Sequence, residues 1–157
     1  MKLRILLISI AILMPGCLNV ELCDESYDSE LVARFKTEKE GETADSTVSS
    51  LTLYGIRDGL PDSLLYNAES VSSFVVPLDP NQSYSRFAIQ IDTLSDTLTI
   101  LHQHEIYLIS YGCGFGSLFF LEGLSAANGG LFKRDSILEK MIDAEYESNE
   151  EHIWLYL

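Results

Sequence analysis

Ser85-Arg86-Phe87-Ala88-Ile89-Gln90-Ile91-Asp92-Thr93 sets Phe87, Ile89 and Ile91 on one side of an extended chain and Arg86, Ala88 and Gln90 on the other. A period of two marks a strand with one buried and one solvated face. Leu94-Ser95-Asp96 reads as a turn into a second strand, Thr97-Leu98-Thr99-Ile100-Leu101. His102-Gln103-His104-Glu105 reads as the next turn, ahead of strands at Ile106 to Tyr111 and Ser117 to Leu121.

The same rhythm extends upstream. Leu31, Ala33 and Phe35 alternate with Val32, Arg34 and Lys36, and Val48 to Ile56 is rich in Thr, Val and Tyr. Thr37 to Ser46 is charged and reads as a loop, and Arg57-Asp58-Gly59-Leu60-Pro61-Asp62 as a turn. Leu64-Leu65-Tyr66 is a candidate edge strand. Phe74, Val76 and Leu78 share a face, and Pro77, which has no N–H, suits a strand end before the Asp79-Pro80-Asn81-Gln82 turn. Short strands about ten residues apart predict an all-β chain, an antiparallel, Greek-key-like β-sandwich of about seven to eight strands. His152-Ile153-Trp154-Leu155-Tyr156-Leu157 is apolar and aromatic enough to close it. In Ser136 to Ile142, the apolar positions Ile137, Leu138, Met141 and Ile142 fall at helical spacing, so propensity predicts a helix there.

The 157 residues fit one domain. Ten Lys and Arg against 24 Asp and Glu give a formal net charge of −14, which excludes a nucleic-acid binder built on clustered cations. With 46% hydrophobic and 22% charged residues the chain is neither disordered nor polytopic.

Residues 1–16 read as a secretory signal: Lys2 and Arg4, then an apolar run from Ile5 to Met14 broken only by Ser9, then Pro15 and Gly16. The run is shorter than the roughly 20 residues that span a bilayer. Leu13-Met14-Pro15-Gly16-Cys17 resembles the lipobox of bacterial lipoproteins, with Met14 and Pro15 less usual there; an ordinary signal peptide cut elsewhere is the alternative. The resemblance implies cleavage before Cys17 and acylation of its sulfur. The mature chain then has 157 − 16 = 141 residues and a net charge of 8 − 24 = −16. So acidic a chain is held to a membrane by its lipid, not by anionic headgroups.

With Cys17 acylated, Cys23 and Cys113 remain, in a compartment where thiols pair. Neither lies in a Cys-x-x-Cys motif or beside Lys or Arg, so a structural disulfide closing 113 − 23 = 90 residues is the expectation. The domain plan is a signal peptide at 1–16, a lipidated tether at 17–28 and a β-sandwich at 29–157.

Several features together are similar to an uncharacterised family of Bacteroidota lipoproteins classed as a domain of unknown function. They are Cys17 with Cys23 soon after, the strand Leu31 to Lys36 and the block Val75-Val76-Pro77-Leu78. Asp96 to Ile100, leading to Ile109-Ser110-Tyr111-Gly112-Cys113-Gly114-Phe115, completes the set. The resemblance implies a β-sandwich-like domain and favours a strand over Ser136 to Ile142. Tyr111 and Gly112 depart from its usual residues, and it carries over no catalytic residue.

Candidate chemistry is sparse. His102 and His104 would present both rings on one face of an extended segment, a metal-ligating spacing, with Glu105 or His152 as a third ligand; two solvated turn histidines are the plainer reading. Asp143, Glu145, Glu147, Asn149 and Glu151 alternate oxygen donors, but an EF-hand counted from Asp143 would need Gly at Ser148 and Glu at Trp154. A solvated acidic loop is the plainer reading there. Gly112 to Gly116 lacks the Lys of a phosphate loop, and no serine lies in a Gly-x-Ser-x-Gly elbow. Tyr107, Tyr111, Trp154 and Tyr156 are candidates for a sugar- or peptide-binding platform or for core packing. The expectation is a lipid-anchored, non-catalytic envelope module, most simply at the outer membrane, without cofactor and with an envelope protein or glycan as partner. A carbohydrate-binding accessory module and a metal-dependent enzyme using His102 and His104 are the rivals.

Overall fold

A computed structural model describes residues 29–127, 130–143 and 150–157. Among these are eleven strands: β1 (Glu30–Lys39), β2 (Glu42–Asp45), β3 (Val48–Ile56), β4 (Ser63–Val71), β5 (Ser73–Pro77), β6 (Tyr84–Ile91), β7 (Leu94–Ser110), β8 (Gly114–Ala126), β9 (Arg134–Ile137), β10 (Met141–Ile142) and β11 (Ile153–Tyr156). They form two sheets packed as a β-sandwich. One sheet runs β2-β1-β11-β9, with β5 also on β1; the other runs β10-β8-β7-β6-β3-β4. The strands beyond the seven or eight expected are mostly short ones, β2, β9 and β10, too brief to show a period.

β1 organises the first sheet. One of its edges is shared: β5 pairs with Glu30 to Arg34, and β2 with Lys36 to Lys39. Phe35 sits at the changeover, where its N–H donates to the Ser72 carbonyl at 2.9 Å and its carbonyl accepts from the Ser46 N–H at 3.0 Å. The other edge pairs with β11, from Ala33↔Ile153 to Lys36↔Tyr156, and this ladder is parallel. The sandwich is therefore antiparallel except at its first and last strands. The chain changes sheets between β2 and β3, on either side of β5, and on either side of both β9 and β10.

The core lies between the layers where the alternation put it. Leu31, Ala33, Phe35, Phe74, Val76, Ile153 and Leu155 meet Leu51, Leu53, Phe87, Ile89, Leu98, Ile100, Phe119 and Leu121, all buried in one cluster. The Phe35 and Phe74 rings lie 5.4 Å apart. Pro77 ends β5, as its missing N–H requires.

Four local readings are corrected. Thr37 to Ser46 is no loop but most of the β1–β2 hairpin, which turns at Glu40 and Gly41. The β6–β7 hairpin turns at Asp92 and Thr93, with Ile91 opposite Leu94, so Leu94 to Asp96 belong to β7; Asp92 takes φ 53°, which a short polar side chain tolerates. His102 to Glu105 is no turn but the middle of β7, a strand of 17 residues. Ser136 to Ile142 is no helix. Ser136 and Ile137 close β9 against β11, Met141 and Ile142 form β10 against β8, and the residues between cross from one layer to the other.

β7 and β8 outrun the sandwich. Beyond Leu101 the only described strand paired with β7 is β8, and the two continue as an arm to a turn at Tyr111 to Cys113. Gly114 closes the turn at φ 79°. A Cβ on Gly116 would stand 2.9 Å from Ile109 Cδ1 and 3.0 Å from Tyr107 Cε1, so only glycine lets those two side chains lie across β8.

Candidate functional site

The hairpin between β3 and β4 and the loop between β5 and β6 meet at one end of the sandwich and enclose a cleft of about 580 Å³. Its floor is apolar (Leu65, Leu78, Phe87) and its rim polar (Arg57, Asp58, Arg86). Register explains the grouping. Ile56 pairs with Arg86 across β3 and β6, so the turn after β3 arrives beside the outward face of β6. There Asp58 forms an ion pair with Arg86 and accepts from the Tyr84 hydroxyl at 2.9 Å. The carboxylate beside it pushes the Tyr84 phenol above its ordinary range. The Arg86 guanidinium also lies 5.5 Å from the Tyr84 ring centroid, and Arg57 donates to Ser63 Oγ at 2.8 Å.

Behind the rim, Ser85 faces inward. Its Oγ accepts from the Asp79 N–H at 2.8 Å and lies 2.9 Å from His102 Nε2. A serine against a buried imidazole has the outline of a nucleophile and its base, which also requires a third group to orient the ring. Here His102 Nδ1 has no hydrogen-bond partner among the described residues. Ser85 instead ties the loop after β5 to β7.

His102 and His104 do project to one face of β7, the inward one. His102 is fully buried, with its ring 5.2 Å from Phe119 and edge-on to it. The His104 ring lies 4.8 Å from the same phenyl, and its Nε2 is 3.1 Å from Ser117 Oγ. Both are core-facing, not solvated turn residues. Among the described residues no group of three His, Cys, Asp or Glu stands so as to hold a metal ion. Glu105 is exposed on the other side of β7. His152, on the first sheet, accepts the Val32 N–H on Nδ1 at 2.9 Å.

Of the acidic alternation, Asp143 and Glu151 are described; Glu145, Glu147 and Asn149 lie outside the described residues. Glu151 lies against the outward face of the first sheet, where it pairs with Arg34 Nε at 2.5 Å and Lys36 Nζ at 3.6 Å. Lys36 also reaches Asp45 Oδ1 at 2.5 Å and sits 4.3 Å from the Trp154 ring centroid, so a lysine on the outward face is 8% exposed. This pairing holds the Asp45 carboxyl below its usual value. Tyr156 is buried, with the Arg134 guanidinium 4.0 Å from its ring centroid. The four aromatic candidates thus form no single platform: Trp154 and Tyr156 sit under cations on the first sheet, and Tyr107 and Tyr111 on the arm. Cys113 lies at the arm's turn, where its N–H donates to Ser110 Oγ at 3.0 Å. Cys17 and Cys23 lie outside the described residues.

Burial pushes both His102 and His152 below the ordinary imidazole value near 6.5. On His152 the geometry agrees with burial: Nδ1 already accepts an N–H, and protonation would set a second N–H against it. The native state therefore binds fewer protons than the unfolded chain below pH 6.5. Stability is complete above that pH and falls as acid is added, until each native value is passed. Each histidine contributes a slope of up to about 1.4 kcal/mol per pH unit in that window. Urea midpoints measured from pH 7.5 to 5 should fall, and H152Q should flatten the curve; a pH-independent midpoint would exclude this linkage.

A family model described as a family of unknown function (DUF6452) matches residues 50–157. The chain belongs to that family. The DUF6452 match begins inside β3 and runs through β11, so it takes in the cleft rim, the arm and all three histidines. It leaves out β1, against which β11 pairs. No curated protein and no solved structure matches the chain.

The rim residues Arg57, Asp58, Tyr84 and Arg86 were not singled out in the sequence. The signal present was a charged pair in a turn and two polar residues on one face of the clearest strand.

Proposed function

We propose that this DUF6452 member is a lipid-anchored module of the cell envelope, held to the membrane through Cys17, that binds an envelope ligand without transforming it. Cleavage before Cys17, pairing of Cys23 with Cys113, an outer-membrane location and a source among the Bacteroidota belong to the same reading. The observation that carries the binding role is the end cleft. An apolar floor under two guanidiniums, a carboxylate and a phenol offers donors and acceptors in fixed directions. That combination suits a neutral, hydroxyl- or amide-rich ligand, such as a glycan or an extended peptide.

The anchor is tested by the intact mass of the protein purified from its own envelope. The expected mass is the chain from Cys17 with acyl groups added and, after alkylation without reductant, no free thiol. A chain still carrying Met1 and no acyl mass rejects the placement. The ligand is tested on a glycan array with the wild-type chain and R86A. Loss of a charged hydrogen-bond donor costs about 1.5–3 kcal/mol, so R86A should bind at least roughly tenfold more weakly. A captured glycan that R86A holds equally well would remove the cleft from the reading.

A further inference from the structure

The arm of β7 and β8 is apolar where nothing described covers it. Ile106 is 69% exposed, Phe115 73%, Leu108 about half, and Tyr111 at the turn is wholly exposed. Ile106, Leu108 and Phe115 share a face, since Leu108 pairs with Phe115 and alternation returns Ile106 to the same side. This is the face that holds His102 and the core nearer the sandwich. It runs on past the end of the opposing layer. From Ile106 to Leu121 no side chain is charged, in a chain of net charge −14.

The tether enters at the foot of this arm. The Ser29 hydroxyl donates to the Ser117 carbonyl, and Ser117 pairs with Ile106. Residues 17–28 lie between that point and Cys17; with Cys23 paired to Cys113, Cys17 stands within about 20 Å of the arm's turn. The tether itself is a poor cover, because Asp24, Glu25 and Asp28 stand immediately before the entry point. An acidic domain can approach lipid headgroups most closely where it carries no charge.

We propose that the arm of β7 and β8 lies against the bilayer, with Ile106, Leu108, Tyr111 and Phe115 at the boundary between headgroups and acyl chains. This rests on the anchoring reading above. The occupant is a lipid surface of zwitterionic headgroups. The depth is shallow, because past Leu101 the outer edge of β7 has no described strand to pair its backbone groups, and unpaired N–H and C=O groups stay out of hydrocarbon. Tyrosine at the tip suits that depth, with its ring in the apolar zone and its hydroxyl in water.

The test uses the acylated full chain on phosphatidylcholine vesicles carrying doxyl quenchers high on the acyl chain. Flotation and acyl mass read the anchor; quenching reads the arm. In a W154F background, F115W is the single tryptophan, at an exposed position that leaves the core intact. Its emission should be quenched several-fold more than that of Trp154 in the parent chain, and L108E should reduce that difference. F115W emission on floated protein quenched no more than Trp154 overturns the inference and leaves the anchor standing. A detergent-solubilised dimer that L108E converts to a monomer assigns the face to a second copy and also overturns it. Failure to float for want of an acyl chain removes the anchor, and with it the basis for the arm's approach.

Discussion

A chain ending at Glu151 is expected to lose its cooperative unfolding transition altogether. The missing residues include β11, whose Ile153, Leu155 and Tyr156 are buried and which joins β1 to β9. At about 1.5–3 kcal/mol for each buried side chain, the loss is roughly 5–9 kcal/mol before any backbone bond is counted. A domain of this kind has about 5–15 kcal/mol in all. His152 goes as well, leaving the Val32 N–H without its acceptor. Urea titration followed by circular dichroism is the measurement. A sharp, two-state transition in the truncated chain would show that the first sheet closes without β11.

Phe35→Ala should be the most damaging single truncation at the changeover on β1. Its side chain is fully buried against Phe74, and its backbone joins Ser72 to Ser46. Those two bonds tie the strands on either side, so the gap has little freedom to collapse. Burial of this kind lost to a cavity costs about 3–5 kcal/mol, or roughly 10–20 °C in melting temperature for a domain of this size. Phe115→Ala removes the same atoms from an exposed site on the arm and should change stability by about 0.5 kcal/mol or less. Calorimetry on the two variants separates them. Equal losses would mean that the arm is packed within the domain.

The strands that were legible have one face in the core and the other in water. β3 was read residue for residue, and β6, β5 and the closing strand within a residue or two, because Phe87, Ile89 and Ile91 or Phe74 and Val76 alternate without exception. Polarity misled at His102 and His104. A histidine packed against Phe119 behaves as a core residue, and nothing local reveals the phenyl group across the ladder. Ser136 to Ile142 misled for a different reason. Its apolar spacing is helical, yet Ile137 and Ile142 serve opposite layers, and tertiary packing overrode propensity. Lys36 was placed on the outward face correctly, but its cover of Trp154, Asp45 and Glu151 is assembled from distant segments. The cleft was illegible because Asp58 meets Tyr84 and Arg86 only through the β3–β6 register. Alternation predicts which way a side chain points, not which strand will lie beside it.

The parallel ladder between β1 and β11 also sets an order of events. Val32 and His152, which hydrogen-bond to each other, are 120 positions apart. A ribosome must therefore pass residue 150 before β1, already flanked by β2 and β5 on one edge, gains its neighbour on the other, and until then that edge beside Ala33 and Phe35 stays open. Topologies dominated by such distant pairings fold on a scale of about milliseconds to seconds. Closure of the first sheet is thus a late event, and a product cut short before β11 would expose a sticky edge to chaperones and proteases.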